Sequence, residues 1–236
     1  KQNGGYGLGN QEGINYAVSC LEADYVIIAN PDIHVSPRCI RRVKDALDKT
    51  QGAVAASARV KDPMGGELFS YWTLLPLWKD LLDTGLVTRR LFKAMLNTPS
   101  YRLGYGGDED CRLVDAVPGS FFMLKTGILT PGEIKEVFDK HIFLYYEEKV
   151  LGQKFRKMGL KTVLVTDESY VHAHSVSIDK SFKRIVDKQS LLHRSKLYYY
   201  KEYLGTGPAG MAAARAVLGL VLAEVWFLTV VCRMQW

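Results

Sequence analysis

A short apolar run, Tyr25–Ala29 (YVIIA), is the feature that most constrains the fold. It is rich in β-branched residues and stops at an Asn-Pro-Asp turn, so it predicts a buried strand. A helix from Ser36 to about Lys49 should follow, because Ser is a favoured N-cap and Pro a favoured first helical residue. A second strand is predicted at Ala53–Val60. Alternating strand and helix indicate an α/β sheet with parallel character, in which ligands bind beyond the carboxyl ends of the strands.

The rest of the chain carries weaker signals of the same kind. Further strands are predicted at Val114–Val117, Phe121–Lys125 and Lys161–Val165. Helical segments are predicted within Leu74–Leu96, at Pro131–Val137, at Glu147–Met158 ended by Gly159, and at Ser181–Leu204.

The tail, Ala209–Cys232, is apolar except for Arg215 and Glu224. The favourable insertion energy of its apolar residues roughly balances the cost of those two charges, so a membrane span is not favoured. We expect an amphipathic helix that lies on a membrane or packs on a partner. Packing on its own domain is the alternative.

Composition excludes several classes of protein. The chain has 236 residues, of which 47% are hydrophobic and 24% charged, which is typical of a globular protein and not of a disordered chain or a fibre. Its four cysteines are far apart and form no CxxC pair, as expected of reduced thiols in a cytosolic protein.

The positive charge is concentrated in one segment. Residues 151–204 contain 11 Lys and Arg against 5 Asp and Glu, a surplus that equals the formal net charge of +6. No nucleic-acid-binding motif accompanies them, so nucleic acid is not an expected partner. A basic segment beside the aromatic cluster His193–Tyr203 suits an anionic membrane surface or a phosphate-rich ligand. A solvated helix face is the ordinary alternative.

Four motifs occur in one order along the chain. They are NGGYGLGNQEGINYA (Asn3–Ala17), IANPDI (Ile28–Ile33), VDAVPGSFFMLK (Val114–Lys125), and FLYYEEKVLGQKFRKMG (Phe143–Gly159) followed by VHAHSVS (Val171–Ser177). As a set they resemble the bacterial glycosyltransferases of family 2 with the GT-A fold, most closely rhamnosyltransferase-like enzymes of cell-surface polysaccharide biosynthesis.

The resemblance implies a domain organisation. Residues 1–178 would form a GT-A domain, with a mixed, mainly parallel sheet flanked by helices and with the family's first βαβ unit missing. Residues 179–236 would form a C-terminal helical extension, basic and then apolar, for which membrane association is one interpretation.

The resemblance also implies a donor site. Asp32 would be the one carboxylate of the family's DxD variant and would hold Mg²⁺ or Mn²⁺, hard cations that neutralise a leaving diphosphate. Asn10 would lie near the nucleotide-sugar at a helix start, and Gly119 and Ser120 would let the backbone approach the donor sugar. The alternatives are a tight surface turn for the glycine-rich opening and a turn cap for Asp32.

Glu148 takes the place of the family's general base, with Glu for Asp, while Val150 stands where a later Asp is usual. Apolar shielding by the aromatic run Phe143–Tyr146 is expected to raise its pKa. Acids in the first turn of a helix are also stabilised by the helix dipole, so Glu147 and Glu148 need no catalytic role to occur there.

His172 and His174 are spaced i, i+2 near the end of a predicted strand, which puts both rings on one face. The resemblance implies that one of them completes the metal or diphosphate site. A purely structural role is the alternative for both.

The implied function is that of a metal-dependent, inverting hexosyltransferase. It would move one sugar from a nucleotide-sugar (dTDP-rhamnose or a UDP-sugar) to a hydroxyl of a lipid-linked saccharide, at the inner face of the cell membrane. Gln189 is followed by SLLHR and not by the QxxRW element of processive members, which favours single-sugar transfer. The alternatives are a catalytically silent GT-A-like scaffold or binding subunit, and a sugar-phosphate nucleotidyltransferase, which would need a basic Gly-rich loop after its first strand.

Overall fold

A computed structural model gives the structure for residues 4–96, 110–173 and 185–233, and for the backbone of 102–103. The chain forms two compact units. Unit 1 comprises Lys1–Leu74, Ser100–Phe143 and Glu147–Val176, and unit 2 comprises Leu75–Pro99, Leu144–Tyr146 and Ser177–Trp236. The predicted domain boundary between residues 178 and 179 lies outside the described residues.

Unit 1 is built on one seven-stranded sheet. Its strands are β1 (Tyr25–Ala29), β2 (Ile33–His34), β3 (Ala53–Lys61), β4 (Arg102–Leu103), β5 (Cys111–Val114), β6 (Phe121–Lys125) and β7 (Lys161–His172). They lie in the order β1-β6-β3-β7-β5-β4, and β2 pairs with the end of β7.

The mixed α/β architecture is confirmed. The expectation that most neighbouring strands would pair in parallel was wrong. Among the described strands only β3 and β7 pair in parallel. The reason is that β6 lies between β1 and β3 and runs antiparallel to both. β1 and β3 therefore run in the same direction, although they are not hydrogen-bonded to each other. Their carboxyl ends still lie at the same edge of the sheet.

Helices cover both faces of this sheet. The helices of unit 1 are α1 (Gly5–Leu21), α2 (Pro37–Lys49), α6 (Pro131–Ile134) and α7 (Glu147–Lys157). Side chains of β6 alternate between two cores, as the two-residue period of a strand requires. The core that includes α1 and α7 contains Ile14, Phe122, Leu124 and Phe155. The core that includes α2 contains Val43, Phe121 and Met123.

Capping residues in the sequence correctly predicted where several helices begin or end. The Ser36 hydroxyl caps α2 by accepting a 3.0 Å hydrogen bond from the Cys39 amide. Gly159 follows α7 with φ of +72°, the left-handed conformation that glycine adopts at a helix end. Other boundaries moved: β5 precedes the predicted strand at Val114–Val117, and β7 runs on to His172.

The glycine-rich opening is helical from Gly5 onwards, and not the tight surface turn that was the alternative interpretation of it. Helix α1 begins at Gly5, whose φ is +84°. A Cβ at Gly5 would lie 2.2 Å from the carbonyl oxygen of Phe143, and one at Gly7 would lie 3.4 Å from the Cβ of Phe138. The glycines therefore allow the helix to pack closely on the segment that leads to α7.

Unit 2 is helical in its described residues. It contains α3 (Leu77–Thr84), α4 (Leu86–Leu91), α5 (Lys93–Leu96), α8 (Ile185–Glu202) and α9 (Pro208–Trp226), which continues as a π-helical turn, Phe227–Val231. By length and composition, Pro208–Val231 is one helix in the described part of the chain that could cross a membrane.

A buried ion pair holds unit 2 together. The Asp80 carboxylate accepts hydrogen bonds from the Lys196 ammonium at 3.0 Å, the Tyr146 hydroxyl at 2.5 Å and the Tyr200 hydroxyl at 2.6 Å. All four side chains are buried. A buried carboxylate is tolerated here because it has both a counter-ion and hydrogen-bond donors.

Candidate active site

Asp32 and His172 come together at the edge of the sheet where β1 and β7 end. Asp32 follows the Asn-Pro turn after β1, and β2 then pairs antiparallel with the end of β7, so that Ile33 lies opposite His172. The amide of Ala173 donates to the Asp32 carbonyl oxygen at 3.0 Å. These backbone bonds leave Asp32 Oδ1 3.4 Å from His172 Nε2.

The Asp32–His172 pair has the donor chemistry of a divalent-cation site. Asp32 Oδ1 is buried and accepts no hydrogen bond, which is unusual because buried carboxylate oxygens are normally paired. A carboxylate oxygen is a preferred ligand of Mg²⁺ and Mn²⁺, and an imidazole nitrogen is a common ligand of divalent transition metals. No group of three or more His, Cys, Asp and Glu side chains forms a metal cluster within the described ranges. His174, the other predicted ligand, lies outside them.

The Gly119 backbone contacts the candidate base, Glu148. Its amide donates to Glu148 Oε1 at 3.3 Å. A Cβ at residue 119 would lie 3.2 Å from that oxygen, so the carboxylate approaches as closely as a glycine allows. In the structure the group close to this glycine is the Glu148 carboxylate. The predicted approach of the Gly119 backbone to a donor sugar stays a prediction.

Burial raises the pKa of the Glu148 carboxyl above the ordinary value of a glutamate. Hydrogen bonds from the Gly119 amide and from its own amide oppose that rise. The apolar side chains beside the carboxylate include Val117, Phe122 and Leu151. Phe143, which the sequence singled out as a shield, is 38% exposed. A carboxylate with a raised pKa is better matched to proton abstraction near neutral pH.

Tyr6 is a site residue that sequence reasoning missed. Its hydroxyl donates a 2.5 Å hydrogen bond to the Gly119 carbonyl oxygen, across 113 positions of the chain. Burial, followed by the negative charge of Glu148, raises the pKa of Tyr6, so the hydroxyl keeps its proton. The glycine-rich composition of its segment indicated that the region could be functional, but no local sequence feature indicated a role for the tyrosine itself.

Ser120 links the Pro-Gly-Ser turn to the turn that carries Asp32. Its carbonyl oxygen accepts a 2.8 Å hydrogen bond from the Asn30 amide. Its hydroxyl lies 2.7 Å from the hydroxyl of the buried Tyr170, two residues before His172. This contact ties the side chain into the core of unit 1, and binding of a donor by Ser120 stays a prediction.

Asn10 lies in the second turn of α1 and not at the helix start. Its side-chain amide donates to the Tyr6 carbonyl oxygen at 3.1 Å, and the side chain is half-buried. The start of α1 is fixed by the Tyr6 amide, which donates to the Phe143 carbonyl oxygen at 3.1 Å. The role of Asn10 in donor binding also stays a prediction.

The sequence matches no model of a known protein family, and it matches no curated protein. In contrast, the structure is similar to the crystal structure of GalNAc-T7 with UDP, GalNAc and Mn²⁺, with a TM-score of 0.50 and 10% sequence identity. The similarity covers 99% of this chain and 44% of that one, so this chain spans less than half of its length. At this identity the similarity concerns the fold. It confirms a GT-A-type α/β fold for this chain.

Proposed function

We propose that this protein is a metal-dependent glycosyltransferase. One observation carries the proposal: a buried carboxylate oxygen without a hydrogen bond, on Asp32, faces an imidazole nitrogen of His172. Asp32 follows the end of β1 and His172 is the last residue of β7, at the strand ends where α/β folds bind ligands. The GalNAc-T7 structure, similar in fold, contains UDP and Mn²⁺, which supports a nucleotide-sugar donor and a divalent cation here.

Asp32 and His172 would hold the cation. Two protein ligands suit Mg²⁺ or Mn²⁺ when phosphate oxygens and water complete the coordination. When bound, such an ion acts as a Lewis acid that offsets the negative charge of a leaving diphosphate.

Glu148 would act as the general base. Its carboxylate removes the proton from an acceptor hydroxyl, whose oxygen forms a bond to the anomeric carbon of the donor sugar. The bond from that carbon to the diphosphate oxygen breaks, and the nucleoside diphosphate leaves from the opposite face with the electron pair. The configuration at the anomeric carbon is therefore inverted. The Gly119 amide holds the carboxylate by one oxygen.

The finer parts of the proposal follow from the sequence motifs. The donor would be dTDP-rhamnose or a UDP-sugar, and the acceptor a hydroxyl of a lipid-linked saccharide in bacterial polysaccharide biosynthesis. The protein would act at the cytoplasmic face of a membrane, and the apolar helix at Pro208–Val231 supports the membrane association but not the choice of face. Single-sugar transfer fits the absence of the QxxRW sequence from the chain.

A catalytically silent scaffold with the same fold is the second candidate. It is favoured by the small number of cation ligands, since the described residues bring together only the pair Asp32 and His172.

Donor turnover separates these two functions. Release of nucleoside diphosphate is measured with dTDP-rhamnose and a panel of UDP-sugars, with Mn²⁺, with Mg²⁺ and with chelator. We expect metal-dependent release with one donor, and its loss in Asp32→Asn and Glu148→Gln. The exposed residues Asp45 and Glu12 provide matched controls, Asp45→Asn and Glu12→Gln, which should retain activity. No release with any donor would favour the scaffold.

A further inference from the structure

The segment Arg89–Met95 of unit 2 exposes every one of its side chains. Three of them, Arg89, Arg90 and Lys93, are basic, and none is acidic. Between the basic residues stand large apolar side chains, of which Leu91 is 74% exposed and Phe92 41%. Contiguous exposed apolar surface is uncommon on monomeric proteins and marks an interaction site.

The neighbouring helix α9 is apolar on both of its faces. Its inner face packs within unit 2 through a stripe with helical spacing: Met211, Ala214, Leu218, Val221 and Val225. On the outside, Leu220 is 72% exposed and Trp226 51% exposed, and the apolar exposure continues at Phe227. Arg215 is the basic residue of this helix and is exposed as well.

Glu224, the acidic residue of α9, makes its hydrogen bonds within unit 2. Its carboxylate accepts hydrogen bonds from the amides of Leu86 at 3.2 Å and Val87 at 2.9 Å, which start helix α4. A Cβ at Gly85 would lie 3.2 Å from the Val221 side chain, so α4 begins in contact with α9. The Glu224 carboxylate, which caps α4, and the buried apolar stripe of α9 both hold α9 within unit 2.

We propose that the α4–α9 surface, defined as Arg89–Met95 with the outer side of α9, binds an anionic lipid bilayer, and that α9 lies along the interface without crossing it. Apolar side chains of this surface would enter the head-group boundary while the neighbouring basic groups pair with anionic lipid. Trp226 has the amphipathic ring that favours this boundary.

The positive charge of the α4–α9 surface favours an anionic bilayer over a second copy of the chain as its binding partner. A second copy of the chain would bring the same basic residues face to face, whereas an anionic head group complements them. Arg89 already pairs with Asp83 at 3.2 Å, so Arg90 and Lys93 are the basic groups to test. The inference deepens the membrane part of the proposed function, but it does not depend on catalysis because it concerns residues of unit 2 alone.

The test is co-sedimentation of the full chain with vesicles of phosphatidylcholine alone or mixed with phosphatidylglycerol. We expect binding to the anionic vesicles only, and at least about tenfold weaker binding in Arg90→Glu/Lys93→Glu, because two basic groups that attract the anionic surface are replaced by acidic groups that it repels. The double variant Lys135→Glu/Lys140→Glu changes the net charge equally at exposed positions of unit 1 and should bind as the parent does. Leu91→Ser/Phe92→Ser should remove the binding that persists in high salt.

Three results would overturn the proposal. The first is equal binding to neutral and anionic vesicles, or binding to neither. The second is resistance of the bound chain to extraction at alkaline pH, which would make α9 a span. The third is self-association that Leu91→Ser/Phe92→Ser abolishes while lipid binding is absent, which would assign the surface to a second copy. Vesicle binding, alkaline extraction and self-association can all be measured whether or not the protein turns over a donor. The membrane-binding proposal and the glycosyltransferase proposal can therefore each be wrong without the other.

Discussion

The Tyr6 hydroxyl holds the carbonyl of Gly119, and the amide of the same glycine holds the carboxylate of Glu148. One glycine thus connects a helix at the start of the chain to the candidate base. The arrangement makes Tyr6 a positioning residue for Glu148, although it does not contact the reacting atoms of the proposed transfer.

Replacing Tyr6 with Phe removes one buried hydrogen bond and leaves the ring. We expect unfolding free energy to fall by about 1–3 kcal/mol, because the Gly119 carbonyl loses its partner. We also expect kcat to fall about tenfold with little change in donor KM, as for a slightly misplaced catalytic group. Steady-state kinetics and urea unfolding measure both effects.

The pH profile distinguishes positioning from simple destabilisation in Tyr6→Phe. A looser Gly119 amide would stabilise the ionised carboxylate less, so the acidic limb of kcat should move to higher pH. Tyr16→Phe, at an exposed position of the same helix, should leave kcat and its profile unchanged. An acidic limb that stays in place would argue against the positioning role.

Gly119→Ala is expected to displace the candidate base directly. The added Cβ would lie 2.9 Å from the Tyr6 hydroxyl and 3.2 Å from Glu148 Oε1. We expect a loss of about 10–100-fold in kcat, measured by nucleoside diphosphate release. Adding Tyr6→Phe removes the contact at 2.9 Å, so the kcat of the double variant should be higher than the two separate losses together predict.

Gly127→Ala is the matched control for Gly119→Ala, since a Cβ at residue 127 meets nothing within 4 Å. Equal losses in the two glycine variants would mean that crowding at Glu148 is not the cause.

Glu148→Gln should abolish transfer and yet raise the melting temperature near neutral pH. Burial sets the folded-state pKa of Glu148 above its unfolded value, so ionisation as pH rises through the folded-state pKa costs stability. Glutamine has the same shape and no charge. The difference in melting temperature should therefore be large at about pH 8 and shrink towards about pH 4, where the glutamate is protonated in both states. Thermal scans across this range measure it, and a difference independent of pH would contradict the assignment.

Lys196→Met should destabilise the protein by about 3–5 kcal/mol, because it leaves the Asp80 carboxylate buried without its counter-ion. Urea unfolding of the full chain measures the loss. The double variant Asp80→Asn/Lys196→Met should recover much of it, since the remaining amide carries no charge. Lys201→Met, at an exposed position of the same helix, should change stability by less than about 1 kcal/mol. A small effect of Lys196→Met would mean that water reaches Asp80.

Local chemistry explains which elements the sequence predicted well. Helix α2 carries its own cap and proline, and strands β1 and β6 are short apolar runs bounded by turn residues. Asp32 was predicted as a site residue in the same way, as a carboxylate directly after a predicted buried strand, and its role stays a prediction. The strand itself is less buried than expected, because β1 stands at the end of the strand order and only Ile28 of its five residues is buried. The neighbour of Asp32, His172, needed the pairing of β2 with β7 to bring it within 3.4 Å.

The features that were missed depend on contacts between distant parts of the chain. Glycines lower helix propensity, so nothing in the sequence indicated that α1 begins as early as Gly5, where the absence of a Cβ makes room for the segment around Phe143. The partner of Tyr6 is 113 positions away. Likewise, no property of β1 or β3 reveals that β6 will lie between them.

The insertion of β6 between β1 and β3 also governs when the sheet can form. Among the described strands β1 pairs only with β6, and Ala29 lies opposite Phe121, so the chain between these two residues must be synthesised before this ladder can form. Contacts between such distant positions slow folding, because the loop must close before any bond repays its lost entropy. Amide protection in β1 should therefore develop together with that of β6, and later than protection in the self-capped helix α2, in a pulse-labelling hydrogen-exchange experiment. We therefore expect the edges of β1 and β3 to stay unpaired with β6 until late in folding, so that pairing of β6 with both strands completes this part of the sheet.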